Sequence, residues 1–160
     1  MHTHRRSFVR DALVTTVVLA GLYALAISTS FQPLQIPGYL LVVGFGVLEE
    51  AVAVGFADAN PSILFAAYVL VLGLVGAAIA SLARGRVPDS GLAWVRPGVA
   101  GALAVVGALS TLLAISILLT TTQREPVVVT GVAGLILLGL ASVIAGTVEI
   151  PLASSRTADR

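Results

Sequence analysis

The chain has no cysteine and no lysine, and its two histidines, His2 and His4, fall within the first four of 160 residues. Without cysteine there is no disulfide, no thiolate metal site and no cysteine nucleophile. With no histidine beyond position 4, histidine-ligated haem in the body of the protein is excluded. Charge is scarce as well. Asp, Glu and Arg make up 11% of the chain, against about 25% charged residues in a typical soluble domain. No glycine-rich phosphate loop, zinc signature or serine–histidine arrangement occurs. The few dispersed arginines make no nucleic-acid surface. The expectation is a protein without a cofactor, a metal centre or enzyme activity.

What remains is apolar. Hydrophobic residues form 58% of the sequence and the mean hydropathy is +1.03. Four runs carry no charge: Ala12–Phe31, Ile63–Ala83, Val99–Thr120 and Val127–Val148, each of 20 to 22 residues. At about 1.5 Å of rise per residue, each helix reaches roughly 30 Å, the thickness of a hydrocarbon core. The predicted fold is all-α, an integral membrane helical bundle with four transmembrane helices over residues 12–150. A basic tail (1–11) and a polar tail (151–160) flank it, and the lipid bilayer is its first partner.

All nine basic residues are Arg, a codon usage that suggests a GC-rich prokaryotic genome. Three precede the first run (Arg5, Arg6, Arg10), three lie between the second and third (Arg84, Arg86, Arg96), Arg124 lies between the third and fourth, and Arg156 and Arg160 close the chain. Short loops rich in Arg stay cytoplasmic. Four spans with both termini in the cytoplasm keep eight of the nine arginines inside. The expected location is therefore the cell membrane, multi-pass. The stretch HRRSFVR resembles a twin-arginine export signal. A simpler reading is that these arginines hold the N-terminus inside.

A fifth apolar stretch, Gly38–Ala57, carries Glu49 and Glu50 past its middle. Were it to span, the outside would hold five arginines and the inside four, and the charge bias would vanish. Two central carboxylates also offset the apolar gain of insertion, at on the order of 5 kcal/mol. The stretch is therefore expected to be a re-entrant or interfacial helix, with five transmembrane helices as the alternative. Ser30–Pro37 is expected to be an outer loop, because Pro33 and Pro37 oppose continued helix. Pro61 suits a helix start after the Asp58–Asn60 turn. Trp94 beside Arg96 has the character of an interfacial anchor.

Small residues recur at spacing four: Gly73 and Ala77, Gly76 and Ala80, Ala141 and Ala145, Ser142 and Gly146. That spacing sets them on one helix face and lets backbones approach within a bundle. The hydroxyls of Ser110, Thr111 and Ser116 can bond their own helix or a neighbour. The fragment Gly-Val-Ala-Gly occurs at Gly98–Gly101 and again at Gly131–Gly134.

Glu49 and Glu50 are the candidate ion, proton or partner site, because an ionisable residue at membrane depth is functional by default. With Gly46, Ala53 and Ala57 they share one helix face, expected to dock on the bundle. Burial there would raise the carboxyl pKa values and one proton could be shared. Glu149 is expected to form interfacial ion pairs with Arg84, Arg86 or Arg96, worth at most about 1 kcal/mol. The Glu-Glu pair is similar to the first motif of the CAAX-processing intramembrane proteases. That motif has Arg four residues after the second Glu, where this chain has Val54, and the family's later histidines are missing, so the resemblance ends at two residues. The sequence points to a non-enzymatic accessory or assembly subunit of a membrane complex. The alternative is a small transporter or proton- or cation-coupled carrier that uses Glu49 and Glu50. Self-association is a further possibility for its partners.

Overall fold

A computed structural model describes residues 2–52, 60–83, 95–120 and 124–146. Among them are five helices and no strand: α1 (His2–Ser28), α2 (Gln32–Val52), α3 (Pro61–Ala83), α4 (Arg96–Thr120) and α5 (Arg124–Ile144). The protein is an all-α bundle. α1, α3, α4 and α5 are long and apolar enough to cross a membrane.

The helix ends have local causes. Asn60 caps α3: the Ser62 N–H donates to its Oδ1 at 2.9 Å, and Pro61 takes the first position, where no intrahelical donor is required. α5 ends on Gly146, whose φ of 69° is left-handed. Its N–H returns to the Val143 carbonyl at 3.0 Å, a C-terminal closure that glycine adopts without Cβ strain. Gly146 therefore ends the helix, whereas its spacing from Ser142 suggested an interface. The turn between α1 and α2 is closed by the Gln35 side-chain amide, which donates to the Thr29 carbonyl.

Two boundaries differ from the sequence reading. α1 starts at His2, ten residues before the first apolar run. Nothing between His2 and Ala12 breaks a helix, since that segment holds no Gly or Pro. α2 starts at Gln32 and includes Pro37, where a loop was expected. Pro33 sits in the first turn, whose N–H groups have no helical partner to lose; Pro37 lies inside the helix, where a proline gives up one backbone bond and crowds the preceding turn.

Contacts between named residues give the threading. Tyr23 and Phe65 stack with ring centroids 4.7 Å apart, while Thr16 packs on Gly73 and Thr15 on Gly76. Rising numbers in α1 meet falling numbers in α3, so the two are antiparallel. Gly101 meets Gly76 backbone to backbone, and Gly107 meets Gly134. α4 is thus antiparallel to both α3 and α5. Gly98 lies against Val14, so α4 begins beside the start of α1's apolar run, at the end of the bundle opposite to Ser28. Ala145 and Ser142 share a cleft with Ala80, Ala100 and Gly101, so α5 ends at that same end of the bundle. α3 begins at the opposite end, where α1 finishes. Both the start of α2 and the start of α3 lie there, so α2 does not complete a crossing.

The core is where these helices meet. Leu19, Leu41 and Val106 are fully buried and join Leu40, Tyr68, Val69, Ala102 and Leu137 in one cluster. Gly73, Gly76, Ala77 and Ala80 are all buried, which makes their spacing an interface within the bundle. Many large apolar side chains face outward, among them Leu82 and Leu119 at 82% and 80% exposure. In lipid such an arrangement is favourable, because acyl chains are as apolar as leucine.

Candidate functional site

α2 enters the bundle and then leaves it. Its Gly38 packs so closely on α1 that a Cβ there would collide with the Leu22 carbonyl and Ala26. Leu40 and Leu41 are buried next. From Gly46 to Ala51 every residue is exposed. Six consecutive exposed residues exceed one turn of 3.6, so no face of this part of α2 is buried in the bundle. The expected docking face of Gly46, Glu49 and Glu50 is therefore not docked. Both carboxylates are exposed. Ala53 and Ala57 lie outside the described residues.

The splay opens a groove of about 220 Å³ between α2 and α3. Phe45, Leu48 and Glu49 line one wall, and Leu64, Ala67, Tyr68 and Val71 the other. Glu50 is not in the lining. Neighbours on a helix point about 100° apart, so the pair divides: Glu49 borders the groove through its aliphatic stem, and the wall is almost wholly apolar. Leu64 and Val71 lie roughly 5 and 15 Å from the start of α3 at 1.5 Å per residue. Glu49 therefore stands beside the first half of a spanning helix. No hydrogen bond or ion pair holds it among the described residues.

Aromatic rings form the back of this groove. Phe45 packs edge-on to Phe65 at 5.2 Å and lies 5.6 Å from Tyr68, and Phe65 continues to Tyr23. Tyr68 is buried, and its hydroxyl has no hydrogen-bond partner among the described residues. That hydroxyl is wedged under α2, 2.7 Å from where a Cβ on Gly44 would stand, and Leu109 closes in from α4. The groove thus presents the Tyr68 ring, while the oxygen is buried between α2 and α4.

Other expected site residues fall elsewhere. Arg96 is exposed at the start of α4. Glu149, Arg84, Arg86 and Trp94 lie outside the described residues, as does any pairing among them. Arg124 and Glu125 are exposed and border an open depression at the start of α5 with Pro126, Val129 and Thr130. Glu125 in that first turn suits the helix dipole. No group of three metal-ligating side chains occurs among the described residues.

Asp11 was not singled out by the sequence reading. It is fully buried with Thr15, one turn further along α1. The Thr15 hydroxyl donates to the Gly98 carbonyl of α4 at 3.0 Å. The signal was present: an acid and a hydroxyl four residues apart share one face. Compared with protein-family models, with curated proteins and with solved structures, the chain matches none of them.

Proposed function

We propose that this small membrane protein is a non-enzymatic accessory or assembly subunit, held in the cell membrane with both termini cytoplasmic. The observation that carries the reading is the outward face of α2. Between Tyr39 and Leu48 it exposes Tyr39, Val42, Val43, Val47 and Leu48, and it continues into the exposed Glu49 and Glu50. A carboxylate left against lipid at this depth is costly. A partner helix that covers the apolar face and offers a basic side chain to Glu50 removes that cost. Such a contact is specific, because a partner without the cation leaves the carboxylate unpaired. The arginine distribution supports cytoplasmic termini.

A photo-crosslinking residue at Val47 tests this reading in native membranes. The expected result is one discrete crosslinked membrane polypeptide, which disappears when Glu50 is changed to Lys. The same probe at Leu119, on the outer face of α4, is expected to give lipid adducts alone. Lipid adducts alone at Val47 would overturn the accessory role.

A carrier role is the second reading, favoured by the position of Glu49 beside α3 at membrane depth. It predicts proton- or cation-driven uptake in proteoliposomes that Glu49→Gln abolishes. It is lost if purified protein moves neither.

A further inference from the structure

We propose that the cleft between α3, α4 and α5 holds an acyl chain of one anionic phospholipid, whose phosphate rests on Arg96. The cleft measures about 210 Å³ and reaches from Ala80 of α3 across Ala100, Gly101 and Ala104 of α4 to Ala141 and Ala145 of α5. Small side chains create it, because alanine and glycine leave room between converging helices that larger residues would fill. Its one polar side chain, Ser142, donates to the Leu138 carbonyl of its own helix at 2.9 Å. The walls therefore suit hydrocarbon and offer nothing to an ion.

The charge stands at the mouth. Arg96, Ala100 and Ala104 follow one another at spacing four, so they form one row along α4. The row starts at the arginine and runs into the cleft. Arg96 lies roughly 6 Å before Ala100 along the axis, at 1.5 Å per residue. Helical side chains lean toward the N-terminus, so its guanidinium is carried further outward, to the level of the headgroups. Arg96 is exposed, and no hydrogen bond or ion pair engages it among the described residues. The one described acid at this end, Asp11, is fully buried, so no exposed carboxylate among the described residues competes with a phosphate. A guanidinium takes phosphate through paired N–H donors. A zwitterionic headgroup brings its own cation and has less use for it.

Other occupants fit less well. A helix is about 10 Å across with its side chains, too wide for a cleft of about 210 Å³, whereas an extended acyl chain is one methylene thick. An inorganic anion leaves the apolar walls uncovered. Ile79 lines the cleft and is still exposed, so the cleft is open to the bilayer and a lipid enters it sideways. This inference rests on the bundle lying in a membrane and not on the accessory role. Its failure leaves the crosslinking prediction at Val47 untouched.

The test is native mass spectrometry of the full-length protein, delipidated in mild detergent. It is titrated with dioleoylphosphatidylglycerol or with dioleoylphosphatidylcholine, which carries the same chains on a zwitterionic head. The expected result is a single saturable site for phosphatidylglycerol, about fivefold tighter than for phosphatidylcholine, since one arginine near an anionic surface is worth about 1 kcal/mol and about 1.4 kcal/mol is tenfold. Arg96→Gln is expected to remove the preference. Arg6→Gln, equally exposed but on α1, which does not line the cleft, is expected to keep it. Ala104→Leu, at a half-buried position in the wall, fills the cleft and is expected to abolish saturable binding of both lipids. Ile79→Trp narrows the cleft from α3 at an exposed position and is expected to do the same, so a folding defect at position 104 does not decide the matter. Thermal unfolding checks the fold of each variant. Absence of a saturable site, equal affinity for the two lipids, a preference that survives Arg96→Gln or falls as far with Arg6→Gln, or binding unaltered by the cleft-filling variants overturns the proposal.

Discussion

Gly76 of α3 and Gly101 of α4 touch backbone to backbone, each standing where a side chain on the other would have to go. The same relationship recurs between Gly107 of α4 and Gly134 of α5. Gly101 and Gly134 are the last residues of the two Gly-Val-Ala-Gly fragments. In each case the final glycine carries the contact with the preceding helix.

A valine at Gly76 or Gly101 is expected to destabilise the bundle by about 1–3 kcal/mol, the usual cost of overpacking. Reversible unfolding in mixed micelles measures it. Gly21 and Gly139 give the contrast, because a Cβ at either meets nothing within 4 Å. Alanine there is expected to be neutral or to stabilise by up to about 1 kcal/mol, through helix propensity. Equal effects at the two pairs would count against the close packing.

Two hydroxyls tie α4 to its neighbours. Thr15 donates to the Gly98 carbonyl at 3.0 Å and Ser110 to the Thr130 carbonyl at 2.5 Å. Thr15→Val and Ser110→Ala are each expected to cost about 0.6 kcal/mol, the mean for such bonds within membranes. Gly98 and Ser110 are roughly 18 Å apart along α4 at 1.5 Å per residue. The double variant is therefore expected to be additive, which a double-mutant cycle on unfolding free energies checks.

Tyr68→Phe removes a buried hydroxyl that has no partner among the described residues. An unsatisfied buried polar group costs about 1–3 kcal/mol, so the variant is expected to unfold at the same temperature or higher. A lower unfolding temperature would mean that the oxygen has an acceptor or donor supplied by something bound.

Cysteine labelling reads the threading, since the chain has no cysteine of its own. A cysteine at Asn60 is expected to react with impermeant maleimide from outside intact cells, because α3 begins at the end of the bundle opposite to the start of α1. Cysteines ahead of His2 and after Arg160 are expected to react only after permeabilisation. Protection of Asn60, with the cysteine after Arg160 labelled in intact cells, would make α2 a fifth span.

The spans were the most legible part of the sequence. Ile63–Ala83 and Val99–Thr120 became Pro61–Ala83 and Arg96–Thr120, because a long uncharged run has no other stable form in lipid. The small-residue face of α3, Gly73 with Ala77 and Gly76 with Ala80, was legible too, since small residues at spacing four let helices approach closely, whereas Gly146 ends α5. Asp11 was not. A criterion built on uncharged runs begins after the last charge, and so it set aside the acid that α1 buries against the start of α4. Pro33 and Pro37 suggested a loop, but Pro33 falls in the first turn of α2, where proline is tolerated, and the packing of Gly38, Leu40 and Leu41 on the bundle holds the helix through Pro37. Glu49 and Glu50 marked the site in the sequence. That they diverge, one to a groove and one away from it, depends on how far α2 leans from α3, which is a property of tertiary contacts.

The burial of Asp11 and Thr15 on one side of α1, with Thr16 half-buried beside them, bears on biogenesis. When α1 leaves the translocon, α3 and α4 have not been synthesised, and these polar groups then have no Gly73, Gly76 or Gly98 to rest on. The nascent first span is therefore a poor solute in lipid until its later neighbours emerge. Its release into the bilayer is expected to wait for them, so that insertion of the four spans is concerted rather than stepwise.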